Sequence, residues 1–244
     1  MAYTVEAGSQ VAEDQTHWVM AEVGWSSGHL LICPDTCTPT LPTTDPTQRF
    51  PVAADCIWKG QPNLGSGRPF PGLSPPWDFA IRVHHTIGKL SARFPLLFAW
   101  LLGHELGHAT TGAGDTALFT AQVWLGMALG RTGAGKAMSW TDLPYERTYD
   151  RYGLSVALRL GTEGDLRQDI AAAGGLHPGL DFHRVMDALQ AGPLDSVPDP
   201  SEGWRELRDL ASRFRDDLRR IWDQEASRHG DGFLGRGVDP GSFL

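Results

Sequence analysis

Five consecutive residues, His104-Glu105-Leu106-Gly107-His108, carry the most explicit chemistry in this 244-residue chain. On a helix of 3.6 residues per turn, histidines four apart are separated by about 40° around the axis. Both imidazoles therefore leave one face, a turn apart, and can share a single metal ion. Glu105 follows the first histidine and stands beside such an ion rather than on it. There it can take a proton from an attacking water and return it to a leaving amine. Zinc fits this donor set, because it accepts imidazole nitrogen and carboxylate oxygen and brings the pKa of water to about 7. The residues before the motif, 94–102, are strongly apolar, which predicts a buried helix whose end faces an internal cleft. Two histidines and a glutamate buried on one helical face without a metal would leave several polar groups to satisfy.

A catalytic zinc takes three protein ligands, so a third is needed. Residues 144–161 read as a helix, with Pro144 in its first turn and Gly161 at its end. Glu146 and Asp150 lie four apart on it and share a face. Glu146 is the expected third ligand, and Asp150 the carboxylate that orients a ligand imidazole from behind. Asp150 itself and Asp115, seven residues past His108, remain alternatives.

Other segments must position this pair of helices. Residues 17–23 and 29–33 read as two strands of a small N-terminal sheet, whose edge can hold a substrate backbone by strand addition. Residues 34–77, rich in Pro, Thr and Gly, read as an irregular insertion. Residues 77–93 read as a helix, since Phe79, Val83, Ile87 and Leu90 recur at helical spacing. His84 and His85 on it are expected to be ordinary packing or surface histidines. Asp115 is the expected cap of a helix over 116–129. Short helices are expected near 165–173 and 182–189, with a turn between them. Apolar residues from Trp204 to Trp222 form a helical stripe suited to packing. The expected organisation is one domain over 1–195, with 196–244 a C-terminal helix and flexible tail packed on it.

Composition narrows the partners. The net charge is −8 with no basic block, which argues against nucleic acid. Hydrophobic residues make up 41%, enough for a sizeable core. No run approaches the roughly 20 apolar residues of a membrane span, and residues 1–8 lack the pattern of a signal peptide. A cytoplasmic protein is expected. Cys33, Cys37 and Cys56 are an odd number and read as reduced thiols. With His29 they could also be spaced for a second zinc, but that spacing matches no common knuckle.

The order His104-Glu105-Leu106-Gly107-His108, then Glu146-Arg147-Thr148-Tyr149-Asp150, then His177-Pro178 followed by Arg184-Val185, resembles the gluzincin family of the prenyl-CAAX endopeptidase and the heat-shock protease HtpX. The resemblance covers roughly residues 95–190 as motif context. It departs from the family in lacking membrane spans, in having Leu176 where Thr usually precedes His-Pro, and in a spacing from Pro178 to Arg184 that is one residue longer than usual. It implies an α+β, mostly α, zincin-like domain with His104, His108 and Glu146 as zinc ligands, Glu105 as general base and Asp150 orienting a ligand histidine. Arg184, Tyr152 and His177 are the candidates for stabilising the oxyanion of a tetrahedral intermediate. The expected activity is a zinc-dependent endopeptidase acting on a peptide or protein. The alternatives are a regulatory metalloprotein that cleaves or binds one partner protein, and a zincin whose third ligand is an aspartate.

Overall fold

Ser9 and Gly24 bracket the first helix, and their chemistry explains why it starts and stops there. The Ser9 side chain accepts from the Ala12 amide, and Gly24, at φ 62°, turns the chain out of the helix with its amide on the Met20 carbonyl. The computed structural model describes residues 3–25, 28–42, 49–58, 77–111 and 144–194, with isolated helical positions between 216 and 227. In order, the elements are β1 (Tyr3–Val5), α1 (Gln10–Val23), β2 (Leu30–Cys37), β3 (Thr40–Pro42), β4 (Arg49–Pro51), β5 (Ala54–Trp58), β6 (Phe79–His84), α2 (His85–Lys89), α3 (Pro95–Thr111), α4 (Pro144–Leu160), α5 (Glu163–Ala172) and α6 (Phe182–Ala191). The architecture is α+β and mostly helical, as expected. No helix among the described residues is long and apolar enough to cross a membrane.

The sheet runs β1-β2-β6-β5, with β1, β2 and β6 parallel and β5 antiparallel to β6. β3 and β4 form a separate antiparallel pair. Strand alternation sends Leu30, Ile32, Cys56, Ile81 and Val83 into the main core with α1 and α3, and Leu31, Cys33, Ile57 and Ala80 into a smaller cluster behind the sheet. On that second face Arg82 is almost fully buried and donates its Nε to Asp55 Oδ1 across the β5–β6 pair at 2.7 Å. A buried ion pair with both partners hydrogen-bonded fixes which residues of β5 and β6 stand opposite each other.

Three segments depart from the expected elements. Residues 17–23, expected as a strand, are the second half of α1. Ala12, Thr16, Val19, Met20 and Val23 are its buried positions, which is a helical period once the turn from Ser9 is counted. Residues 77–93, expected as a helix, hold β6 and then only the short α2. β6 lies between β2 and β5, so Ala80, Ile81, Arg82 and Val83 are all buried and show no alternation. Residues 34–77 are likewise not wholly irregular, since β2 continues to Cys37 and β3, β4 and β5 follow. The helix expected over 116–129, Asp115 and the stripe from Trp204 to Trp222 lie outside the described residues, apart from a few isolated positions.

The helix that matters most, α3, is held at its start by another helix. Asp169 of α5 accepts from the amides of Leu96 and Leu97 at 2.8 and 3.2 Å, satisfying first-turn donors that have no partner within a helix. α3 packs mainly on α4, and glycines let the two approach closely. A Cβ on Gly103 would stand 2.9 Å from the Gly153 Cα, and one on Gly153 would run into the Trp100 carbonyl oxygen. Gly153→Ala is therefore expected to destabilise the protein by about 2 kcal/mol, an overpacking cost that exceeds the roughly 1 kcal/mol of helix propensity regained. Gly161→Ala meets only the Leu96 side chain, which can rotate, and is expected to cost less. Chemical denaturation of the two variants checks this, and equal losses would contradict it.

Candidate metal centre

α3 and α4 cross with their polar residues inward. His104, Glu105 and His108 come from α3, Glu146 and Asp150 from α4, and all five are buried. His104 Nε2 and His108 Nε2 stand 3.1 Å apart. Glu146 faces both, its Oε2 3.5 Å from His104 Nε2 and its Oε1 3.5 Å from His108 Nε2. Ligands at 2.0–2.2 Å around a tetrahedral zinc are separated by about 3.3–3.6 Å, so these edges are near those of three ligands around one ion. A hydrogen bond between the two imidazoles would account for the 3.1 Å alone. It would not account for the carboxylate against both rings, nor for the buried Glu146 Oε1, which has no hydrogen-bond partner. Among the described residues, His104, His108 and Glu146 are the one group of this kind whose ligand atoms lie close enough to hold a metal ion.

Behind the group, Asp150 Oδ1 contacts His104 Nδ1 at 2.9 Å. The oxygen lies off the ideal N–H direction, since Nδ1 has no well-aligned hydrogen bond, so the contact is best described as electrostatic. It favours a proton on Nδ1 and leaves Nε2 as the lone-pair donor. Burial pushes the Asp150 carboxyl up, but His104 and Arg184 outweigh it and hold it below the usual carboxylate range. Arg184 of α6 reaches in to donate its Nη2 to Glu146 Oε2 and to Asp150 Oδ1, each at 2.8 Å.

Tyr149 is a member of the site that the sequence reading passes over. Its ring lies 4.1 Å from the His108 ring, tilted by 51°, and meets His104 edge-on, with 5.9 Å between centroids. The signal was present: Tyr149 lies three residues after Glu146 and so shares its helical face. Gly107 makes room, since a Cβ there would stand 2.9 Å from the Tyr149 ring.

The three oxyanion candidates fall in different places. Arg184 lines the narrow cleft in front of His104 and Glu105, together with Ala53, Ala54, Gly179 and Asp181. A larger cavity, about 650 Å³, adjoins it and shares Asp181 and Arg184. Tyr152 is not brought to the cleft. It lies two residues past Asp150, about 200° further round α4. Its buried hydroxyl is pushed up by desolvation, and Arg159 acts against that shift. His177 does not line the cleft either. Its ring stands 4.2 Å from His84, and its Nδ1 accepts from the Gly179 amide. His84, 4.3 Å from His85, likewise accepts an amide on Nδ1. With Nδ1 taken by a donor, neutral His84 and His177 each carry the proton on Nε2 and are poorly disposed to bind a metal there. Burial, then His177 and His85, push His84 down to about 4.

Cys33, Cys37 and Cys56 are free thiols, as expected. Cys56 belongs to the main core and Cys33 to the cluster behind the sheet, so no common cage forms. Comparisons with protein-family models, with curated proteins and with solved structures return no match for this chain.

The geometry makes a quantitative prediction for metal binding. Wild-type protein is expected to bind one divalent transition-metal ion per chain. Glu146→Ala should remove most of that affinity, and Asp150→Ala should lower it by about 10–100-fold, the usual loss when a ligand histidine loses its carboxylate. His84→Ala should leave it unchanged. Chelator competition measures all three. Loss of binding in Asp115→Ala with Glu146→Ala unaffected would move the ligand role to Asp115.

Proposed function

We propose that this chain is a zinc-dependent endopeptidase, with a zincin-like domain of the gluzincin kind. The observation that carries the reading is the buried trio of His104, His108 and Glu146 at metal-ligand spacing, with Glu105 next in sequence to the first histidine. The donor set, two imidazoles and one carboxylate, suits a catalytic zinc. When bound, zinc would polarise the scissile carbonyl and make water a nucleophile near neutral pH.

The chain's own residues account for the remaining work. Glu105 lines the cleft and accepts the proton of the attacking water, then delivers it to the amine nitrogen as the peptide bond breaks. Asp150 keeps the His104 ring in one orientation and tautomer. Tyr149 wedges both imidazoles, so neither ring turns when substrate enters. β5 supports a peptide as substrate. It is the outer strand of the sheet among the described residues, and Ala54 at its start lines the cleft beside Glu105. An extended peptide laid along that edge gains backbone hydrogen bonds and brings a carbonyl to the front of His104 and Glu105.

Glu105→Gln separates binding from catalysis. The amide keeps the shape of the side chain but cannot carry the proton. Zinc content is expected to stay at one per chain, while hydrolysis of an unstructured protein such as casein falls by about 10²–10⁴-fold. Wild-type turnover in the variant would remove Glu105 from the mechanism.

A further inference from the structure

The two oxygens of Glu146 are not equivalent. Each stands 3.5 Å from an imidazole Nε2, Oε2 from that of His104 and Oε1 from that of His108, but Oε2 accepts from Arg184 Nη2 at 2.8 Å whereas Oε1 is buried without a hydrogen-bond partner. The same Nη2 donates to Asp150 Oδ1 at 2.8 Å, and Arg184 Nε donates to Asp150 Oδ2 at 3.1 Å. One guanidinium thus spans the carboxylate that faces the imidazoles and the carboxylate that orients one of them. Resting on the zinc reading above, we infer that Arg184 is a positioning residue: it restricts Glu146 to one oxygen at the ion and so keeps a coordination position free for water and substrate.

A catalytic zinc needs an open position beside three protein ligands, and a carboxylate with both oxygens unengaged can close it by chelating. A charge-assisted hydrogen bond occupies Oε2 and leaves Oε1 as the better donor. The charges also balance. Glu105, Glu146 and Asp150 are buried, and a divalent ion with Arg184 offsets the three of them. Without the guanidinium an uncompensated negative charge would remain in a low-dielectric site, and Glu146 would relieve it by turning its second oxygen to the ion. The planar fork of arginine suits the task, because it reaches two carboxylates at fixed angles where a lysine offers a single point charge. An oxyanion role competes poorly, since Nε and Nη2 are both engaged by carboxylates.

The test uses the full chain loaded with cobalt(II) in place of zinc, with Arg184→Met and Arg184→Lys beside the wild type. The intensity of visible d–d absorption reports coordination number, high for four ligands and lower for each one added. Wild-type protein is expected to show the intense bands of low coordination. Arg184→Met is expected to lose that intensity and Arg184→Lys to lose part of it, with casein hydrolysis falling about 10–100-fold in Arg184→Met. Should Arg184→Met fail to fold, the partial loss in Arg184→Lys decides the matter. Unchanged band intensity, with or without weaker cobalt binding, would reduce Arg184 to a brace and overturn this inference alone. Wild-type protein that binds no cobalt would overturn it together with the zinc reading. A spectrum that responds to Arg184 in a protein that hydrolyses no peptide would uphold the inference and sink the peptidase.

Discussion

The close crossing of α3 and α4 is the constraint on which the rest of the site depends. Helices that pack through ordinary side chains hold their axes about 8–10 Å apart. Here Gly103 meets the Gly153 Cα, and Gly153 lies against the Trp100 carbonyl. That contact brings Glu146 and Asp150 within reach of imidazoles on the neighbouring helix. Each interior glycine costs about 1 kcal/mol of helix stability relative to alanine. Burial of Phe98, Leu102, Leu106, Leu154 and Val156 around the crossing offsets it. The Trp100 indole donates to the Asp150 carbonyl at 3.0 Å and fixes how far one helix slides along the other.

Burying so many polar groups in one place is expensive unless each has a partner. The site meets that demand in layers. Tyr149 covers the rings, Asp150 stands behind His104, and Arg184 ties Asp150 to Glu146. Glu146 Oε1 is still without a hydrogen-bond partner, as are Glu105 Oε2 and His104 Nδ1, and the two facing Nε2 atoms stand 3.1 Å from each other. A metal ion held by His104, His108 and Glu146 would meet that need at Glu146 Oε1. α5 and the turn before α6 serve the same end at longer range. Asp169 anchors the start of α3, and Gly179 seats against the backbone of residues 51–53, where a Cβ would stand 2.7 Å from the Pro51 carbonyl oxygen. That seating places Asp181 and Arg184 at the cleft.

Much of the site was legible in the sequence, because the information is local to helices. His104 and His108 lie four apart, as do Glu146 and Asp150, and a helix turns that spacing into a shared face whatever surrounds it. Helix α4 was expected over 144–161 and is found over Pro144–Leu160, for the same reason. What the sequence hid depends on tertiary placement. β6 is central, so its residues are buried on both faces and lack alternation, while Phe79, Val83 and Ile87 fall by coincidence at helical spacing. α1 is hidden by starting the count at His17 and not at the Ser9 cap. Tyr152 and His177 carry suitable chemistry, but the helical turn of α4 and the packing of His177 beside His84 keep them from the cleft. The bridging position of Arg184, 34 residues beyond Asp150, arises only once α6 packs beside α4.

The most direct measurement is anomalous diffraction at the zinc absorption edge from crystals of the protein purified without added metal. One strong peak per chain is expected, about 2.0–2.2 Å from His104 Nε2, His108 Nε2 and Glu146 Oε1, the ordinary range for zinc with nitrogen and oxygen ligands. A well-ordered crystal with no peak between these three side chains, or with a peak completed by a different carboxylate while Glu146 turns away, would contradict it.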